Sequence, residues 1–197
     1  MAKADPASAK KERNKTIRWV VTIFFVTMVI SGTITLVSDA IMEVSGIVVC
    51  FLILFAIILV GILFDIIGVA VTSADEKPFH SMAARKVPGA HEAISLLRNA
   101  ERVSSICNDV VGDICGVVSG SASATISALI ILNVEGFWTK VISLAMSALV
   151  AGLTVGGKAI GKTFAINSCT SIVHAAGRVI YVLRSFFRIH KCRNKKS

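Results

Sequence analysis

The chain has 197 residues, of which 54% are hydrophobic and only 17% charged, and it carries a formal net charge of +9. A soluble domain spreads roughly 25% charged residues over its surface. Here the charges are clustered and the apolar residues form long runs, a pattern that no soluble fold fits and that membrane helices do. The Lys and Arg flank apolar segments instead of forming a basic face with a reading motif, so no nucleic-acid partner is expected.

Residues 1–16 read as a disordered basic tail with Lys3, Lys10, Lys11, Arg13 and Lys15 beside Pro6. The first apolar run follows, Ile17 to Val37. At about 20 residues it exceeds the roughly 7–15-residue core of a signal peptide, and no small-x-small cleavage site follows it. It therefore reads as a retained helix with Trp19 at the interface. A short acidic loop with Asp39 and Glu43 leads to the second run, Gly46 to Thr72. Helical, that run reaches roughly 40 Å, enough to cross a ~30 Å hydrocarbon core with tilt. Asp65 lies in its final third.

Residues 73–102 are the one sizeable polar stretch, broken by Pro78 and by Pro88-Gly89. Its second half, Ala90 to Arg98, sets Ile94, Leu96 and Leu97 beside polar residues, as in a short amphipathic helix on a membrane surface. The third run, Val103 to Leu132, and the fourth, Phe137 to Val155, are joined by the short loop Asn133-Val134-Glu135-Gly136 and so form an antiparallel hairpin. Phe137 and Trp138 suit an interface belt. Gly156-Gly157 is expected to disrupt the fourth helix. From Lys158 onward the chain holds nine Lys or Arg and no acid. Its apolar residues recur at helical spacing opposite Arg184, Arg188 and Lys191, which predicts an amphipathic helix on the inner leaflet.

The fold class expected is thus an all-α membrane protein, with four transmembrane helices plus juxtamembrane amphipathic helices. Every basic segment then falls on one side, with both termini cytoplasmic, and the protein is multi-pass in the cell membrane. The five cysteines, Cys50, Cys107, Cys115, Cys169 and Cys192, form no CxxC pair, so neither a zinc site nor a disulfide framework is expected. His80, His91, His174 and His190 are scattered and make no nucleophile or metal constellation, so no enzyme is expected.

The third run carries the chemistry. At 100° per residue, Ser105, Asp109, Gly112, Asp113, Gly116, Gly120, Ser123 and Ser127 share a sector of about 100°. The glycine spacing predicts close helix–helix packing. A carboxylate inside a membrane costs about 2.5–3.5 kcal/mol on insertion scales and normally marks an ion or proton site. Asp109 and Asp113, one turn apart, can share a cation or a proton. Alternatively they are wet near the interface or paired with Lys158. Asp65, one turn from Gly61 and Gly68, falls at a similar depth. Asp65, Asp109 and Asp113 are therefore the candidate metal ligands, and oxygen ligands of this kind suit Mg²⁺ or another hard cation.

The order of these features, from an apolar helix ending in Ala70-Val71-Thr72-Ser73, through Pro88-Gly89-Ala90 and Leu96-Leu97-Arg98-Asn99-Ala100-Glu101-Arg102, continues with Asn108-Asp109-x-x-Gly112-Asp113. It closes on Gly157-Lys158-Ala159-Ile160-Gly161-Lys162 and Ala165-Ile166-Asn167. Over residues 46–180 this resembles the transmembrane domain of the CorC/CNNM (CorB) magnesium transporter family. The family has Gly-Asn-x-x-x-Asn where this chain has Asn108-Asp109-x-x-Gly112-Asp113, and Gly-Glu-Ile-x-Pro-Lys followed by Ala-x-Asn at the last two motifs. The resemblance implies a homodimer, a three-helix core with a juxtamembrane belt, and Mg²⁺ between helices facing the cytoplasm. Asp109 and Asp113 match the family's paired asparagines, Asp65 falls near its ligand serines, and Lys158 stands where a ligand glutamate would be. Ser105, Asn108, Gly112 and Lys158 are the expected modulators of the ion site. The sequence departs from the family at Lys158 and at Gly161, which replaces a proline. No CBS pair follows, residues 17–37 are an extra helix, and residues 181–197 form a basic tail. Two functions are expected from this: divalent-cation transport through the three aspartates, or a non-transporting scaffold or accessory subunit in which Lys158 fills the former metal site.

Overall fold

The computed structural model describes the backbone of residues 6–131 and 136–193, with side chains from Thr16 to Ser185 except at Glu43 and residues 132–135. Every regular element described is helical. Helix α1 covers Pro6–Val44, α2 Ile47–Ser73, α3 Lys77–Ala84, α4 Ala90–Arg98 and α5 Ala100–Ser105. A π-helical segment, Ile106–Val111, runs on into α6, Gly112–Ile131, and then come α7, Phe137–Asn167, and α8, Cys169–Arg193. Four stretches are long and apolar enough to cross a membrane: Thr16–Met42, Ile47–Ser73, Ala100–Ile131 and Phe137–Asn167. The shortest of them, 27 residues, spans roughly 40 Å at 1.5 Å per residue. Helix α8 is not among them.

Three local expectations are corrected. Residues 6–16, expected to be disordered, continue α1, while residues 1–5 lie outside the described part. The basic residues there are good helix formers attached to a long apolar helix, so they extend it without a new nucleation step. Residues 38–44 of the expected acidic loop are instead the last two turns of α1, and the chain reverses only at Ser45-Gly46. This keeps Asp39 on a helix face. Thirdly, Gly156-Gly157 does not break α7, which runs on to Asn167. Glycine's weak helix propensity, about 1 kcal/mol, is overridden there by the packing of Gly157 on Ile62. Of the expected turn 133–136, only Gly136, at φ +82°, is described.

The polar stretch breaks where its prolines and glycines predict. Pro78 occupies the first turn of α3, where its missing N–H has no intrahelical partner to lose. Gly89, at φ +87°, enters α4 in a left-handed conformation that a side chain would strain. It also lets α8 approach: a β-carbon at Gly177 of α8 would stand 2.5 Å from the Gly89 carbonyl oxygen. Two glycines thus seat α8 backbone to backbone on α4.

Packing divides the bundle into two cores. One joins Met42 of α1, Cys50, Leu54 and Ile58 of α2, Ala122 and Ile126 of α6, and Val150 of α7. The other lies at the opposite end of α2, where Ala70 and Val71 meet Phe79, Ala93, Ile94, Ala165 and Val173. Helices α3, α4 and α8 thereby make a belt around the ends of α2 and α7. Apart from Met42, helix α1 stands outside this arrangement; it packs mainly along α6, and no residue of its most apolar stretch is buried.

Candidate functional site: the seam of α2, α6 and α7

Helix α2 meets the α5–α6 rod through two glycines. A β-carbon on Gly61 would lie 3.0 Å from Cys115 Cβ, and one on Gly68 would overlap the Asn108 carboxamide. An adjoining face of α2 meets α7, where Ile66 Cγ1 comes 2.8 Å from the β-carbon position of Gly161, and Ile62 closes on Gly157. At 100° per residue Asp65 is turned about 40° from Gly61 and about 60° from Ile62, between the two faces. Its half-buried side chain therefore points into the seam where α2, α6 and α7 meet. Its height is between those of Gly61 and Gly68, hence opposite the stretch between Cys115 and Asn108.

Gly112 lies in that stretch, and Lys158 reaches it from α7. The Lys158 Nζ lies 3.3 Å from where a β-carbon on Gly112 would be, and the Cys107 carbonyl oxygen is 3.8 Å from the same point. The absent side chain at 112 makes room for the ammonium. Lys158 is half-buried, like Asp65. Among the described residues the ion pairs within 4.0 Å are His80–Glu76 and Arg184–Glu92. Lys158 is thus in direct ion contact with none of Asp65, Asp109 and Asp113. Asp65 and Lys158 are opposite charges at one level of the seam, held apart.

The π-helical turn distributes the rest. Asn108, at its centre, donates from Nδ2 to Ser104 Oγ at 3.2 Å, and its Oδ1 is buried without a partner. Asp109 turns the other way: it is exposed and accepts a 2.9 Å hydrogen bond from Ser105 Oγ. Asp113, Gly116 and Gly120 are exposed with it, whereas Gly112, Ser123 and Ser127 are buried. The single polar face expected from the periodicity is therefore divided. Its sector is wide enough to straddle the packing boundary, and a π turn closes i→i+5 rings that shift the phase of the residues before it. Nor do Gly116 and Gly120 pack a helix among the described residues, since none of these comes within 4 Å of a β-carbon at either. Close approach falls to Gly61, Gly68, Gly157 and Gly161 instead.

Among the described residues no group of three or more His, Cys, Asp or Glu is placed to hold a metal ion. Of the three candidate ligands, Asp65 enters the seam, while Asp109 and Asp113 face outward. No protein family, curated protein or solved structure matches the chain.

Two features escaped the periodicity argument. Ser121 Oγ donates to the Asp39 carboxylate, 3.2 Å to Oδ1 and 3.3 Å to Oδ2, fastening α1 to α6. Ser121 lies opposite the expected stripe and Asp39 falls in the expected loop, so nothing in the spacing pairs them. The second is an open groove of about 290 Å³ between α6 and α7, lined by Gly116, Ser119, Gly120, Ser123, Ser147 and Thr154 among others. The Ser123 hydroxyl there is buried without a partner.

Proposed function

We propose that the chain is a multi-pass membrane protein of the CorC/CNNM transporter type, with both termini cytoplasmic, whose inter-helix cation site is filled by its own Lys158 ammonium. It then acts as a non-transporting scaffold or accessory subunit. The membrane reading is supported by four long apolar helices whose outward residues, such as Phe24, Leu36, Leu144 and Leu153, are exposed. Apolar surface of that extent is not left in water by soluble monomers. The family reading is supported by the order of elements: a helix, a belt, a hairpin of two helices, and a final helix packed on the belt.

The observation that carries the functional reading is the position of Lys158. An ammonium against Gly112, level with Asp65, supplies the positive charge that a bound cation would supply, and a divalent ion beside it would be repelled. Neutralising a carboxylate from within the fold also lowers the cost of holding it at membrane depth.

A specific observation favours a second reading, in which the protein moves Mg²⁺ or a similar divalent ion. Asn108 Oδ1 is buried and unpartnered beside the seam, and amide oxygens are ligands for hard cations. Asp65 would then be a ligand, Asp109 and Asp113 would line the path on a face covered by a second copy, and Lys158 would be the residue that yields.

Mg²⁺ binding and flux in proteoliposomes separate the two. On the first reading the native protein gives neither, and Lys158→Glu creates Mg²⁺ binding that Asp65→Asn removes. Native flux abolished by Asp65→Asn, and unchanged or raised by Lys158→Met, would establish transport instead.

A further inference from the structure

The belt holds a cleft that the seam does not use. It lies between α3 and α4, with a volume of about 390 Å³. Its floor is Ala83 and Ile94, and its rim carries His80, His91 and Arg98 with the hydroxyl of Ser95 and the carboxamide of Asn99. The construction follows from the two short helices. On α4, residues 91, 94, 95 and 98 recur at helical spacing, so one face presents imidazole, aliphatic, hydroxyl and guanidinium groups in turn. Ile94 turns in far enough to join the core with Phe79 and Ala93, while His91 and Arg98 stay exposed. On α3, His80 and Ala83 are three residues apart and face the same cleft. Among the described residues no carboxylate lines it: Glu76 stands 3.3 Å from His80 Nε2 and holds that ring by its edge, and Glu92, next to His91 in sequence, is turned to Arg184 of α8 at 3.9 Å.

We propose that this cleft binds a phosphate group, carried by an anionic phospholipid at the membrane surface. The proposal rests on the membrane reading above. Arg98 supplies a planar fork suited to phosphate oxygens. The two imidazoles and the Ser95 hydroxyl add donors from both helices, and the apolar floor takes the glycerol and the first methylenes. A basic pocket beside membrane helices is the setting in which lipid headgroups are recognised. The belt also closes on the ends of α2 and α7 through Phe79 and Ala165, so an occupied cleft braces the helices that form the seam.

The test uses the full chain in phosphatidylcholine nanodiscs, with dioctanoyl phosphatidic acid and inorganic phosphate as probes, read by native mass spectrometry and thermal shift. Incorporation is scored first. A chain that stays aqueous overturns the membrane reading and this proposal together; one that inserts but shows no preference for phosphatidic acid over phosphatidylcholine overturns the cleft alone. The expected result is retained phosphatidic acid, weakened about fivefold by Arg98→Gln and lost in H80Q/H91Q/R98Q. The control K77Q/R85Q removes two exposed charges outside the cleft and should leave binding unchanged. An equal loss in that control would show diffuse attraction and overturn the site. Inorganic phosphate that binds as tightly as the lipid overturns the lipid assignment. The three substituted side chains are exposed, and unaltered melting of the lipid-free variants checks that the fold is intact.

Discussion

The ammonium of Lys158 takes the place that a side chain on Gly112 would fill, 3.3 Å from the missing β-carbon. Only the far end of a flexible side chain is in the way, so Gly112→Ala should be mild. The helix gains about 0.5–1 kcal/mol from losing a glycine, which roughly offsets the crowding. Gly112→Leu, by contrast, must expel the ammonium and should cost about 1–3 kcal/mol in thermal unfolding in detergent. Part of that loss should return in Gly112→Leu with Lys158→Ala, because the two changes share one space.

Asp65 and Lys158 should be coupled although they do not touch. Asp65→Asn or Lys158→Met alone leaves one charge in the seam without its opposite. The double variant should be more stable than the sum of the singles by about 0.5–3 kcal/mol, the range found for residues in one network. Additivity would place the two charges in separate environments.

The glycines of α2 and α6 should behave oppositely. A methyl group at Gly68 runs into the Asn108 carboxamide, so Gly68→Ala should destabilise by about 1–3 kcal/mol, with partial recovery in Gly68→Ala/Asn108→Ala. Gly116→Ala and Gly120→Ala meet nothing among the described residues and should be neutral or stabilising by up to about 1 kcal/mol. A loss at Gly116 or Gly120 in the reconstituted protein, absent in a monomeric detergent preparation, would reveal a second copy against that face.

Helix α1 is fastened to α6 by the Ser121–Asp39 contact, beside its packing at Met42. Hydrogen bonds between helices in membranes average only about 0.6 kcal/mol and reach about 1.7. A double-mutant cycle on Asp39→Ala and Ser121→Ala should give a coupling in that range, read as release of α1 to a protease or cross-linker. The Arg184–Glu92 pair is long at 3.9 Å and its arginine is exposed although Glu92 is largely covered, so it should contribute at most about 1 kcal/mol and Glu92→Gln should leave α8 seated. Gly177→Ala should not, because its methyl group meets α4 backbone.

Run length and the position of breakers made the four long helices and the belt legible in the sequence. Pro78 and Gly89 mark the starts of α3 and α4, and the boundaries Ala90 and Arg98 coincide with those expected. Level along the bundle was legible too, since the expected match of Asp65 with the 109–113 stretch agrees with the seating of Gly61 on Cys115 and Gly68 on Asn108. Azimuth was not. The α-helical projection placed Gly112 and Asp113 together, but one is buried against Lys158 and the other is exposed. Two neighbouring residues differ by 100°, so a packing boundary passing between them divides what a broad sector merges. The roles of the glycines were misread for a related reason. Spacing shows that Gly116 and Gly120 can admit a backbone, but only the fold shows that Gly157 and Gly161 are the ones Ile62 and Ile66 fill.

The wide turn at 106–111 has a mechanical consequence. It places an extra residue between the part of the helix that grips the belt and the part that spans the bundle. Deleting one residue there would rewind a regular helix and rotate everything upstream by about 100°, with a shift of about 1.5 Å. Cys115 would keep its seat on Gly61 while Asn108 swung away from Gly68. The turn thus sets the register between the two contacts, so that Asn108 and Cys115 of one continuous rod both reach a glycine of α2.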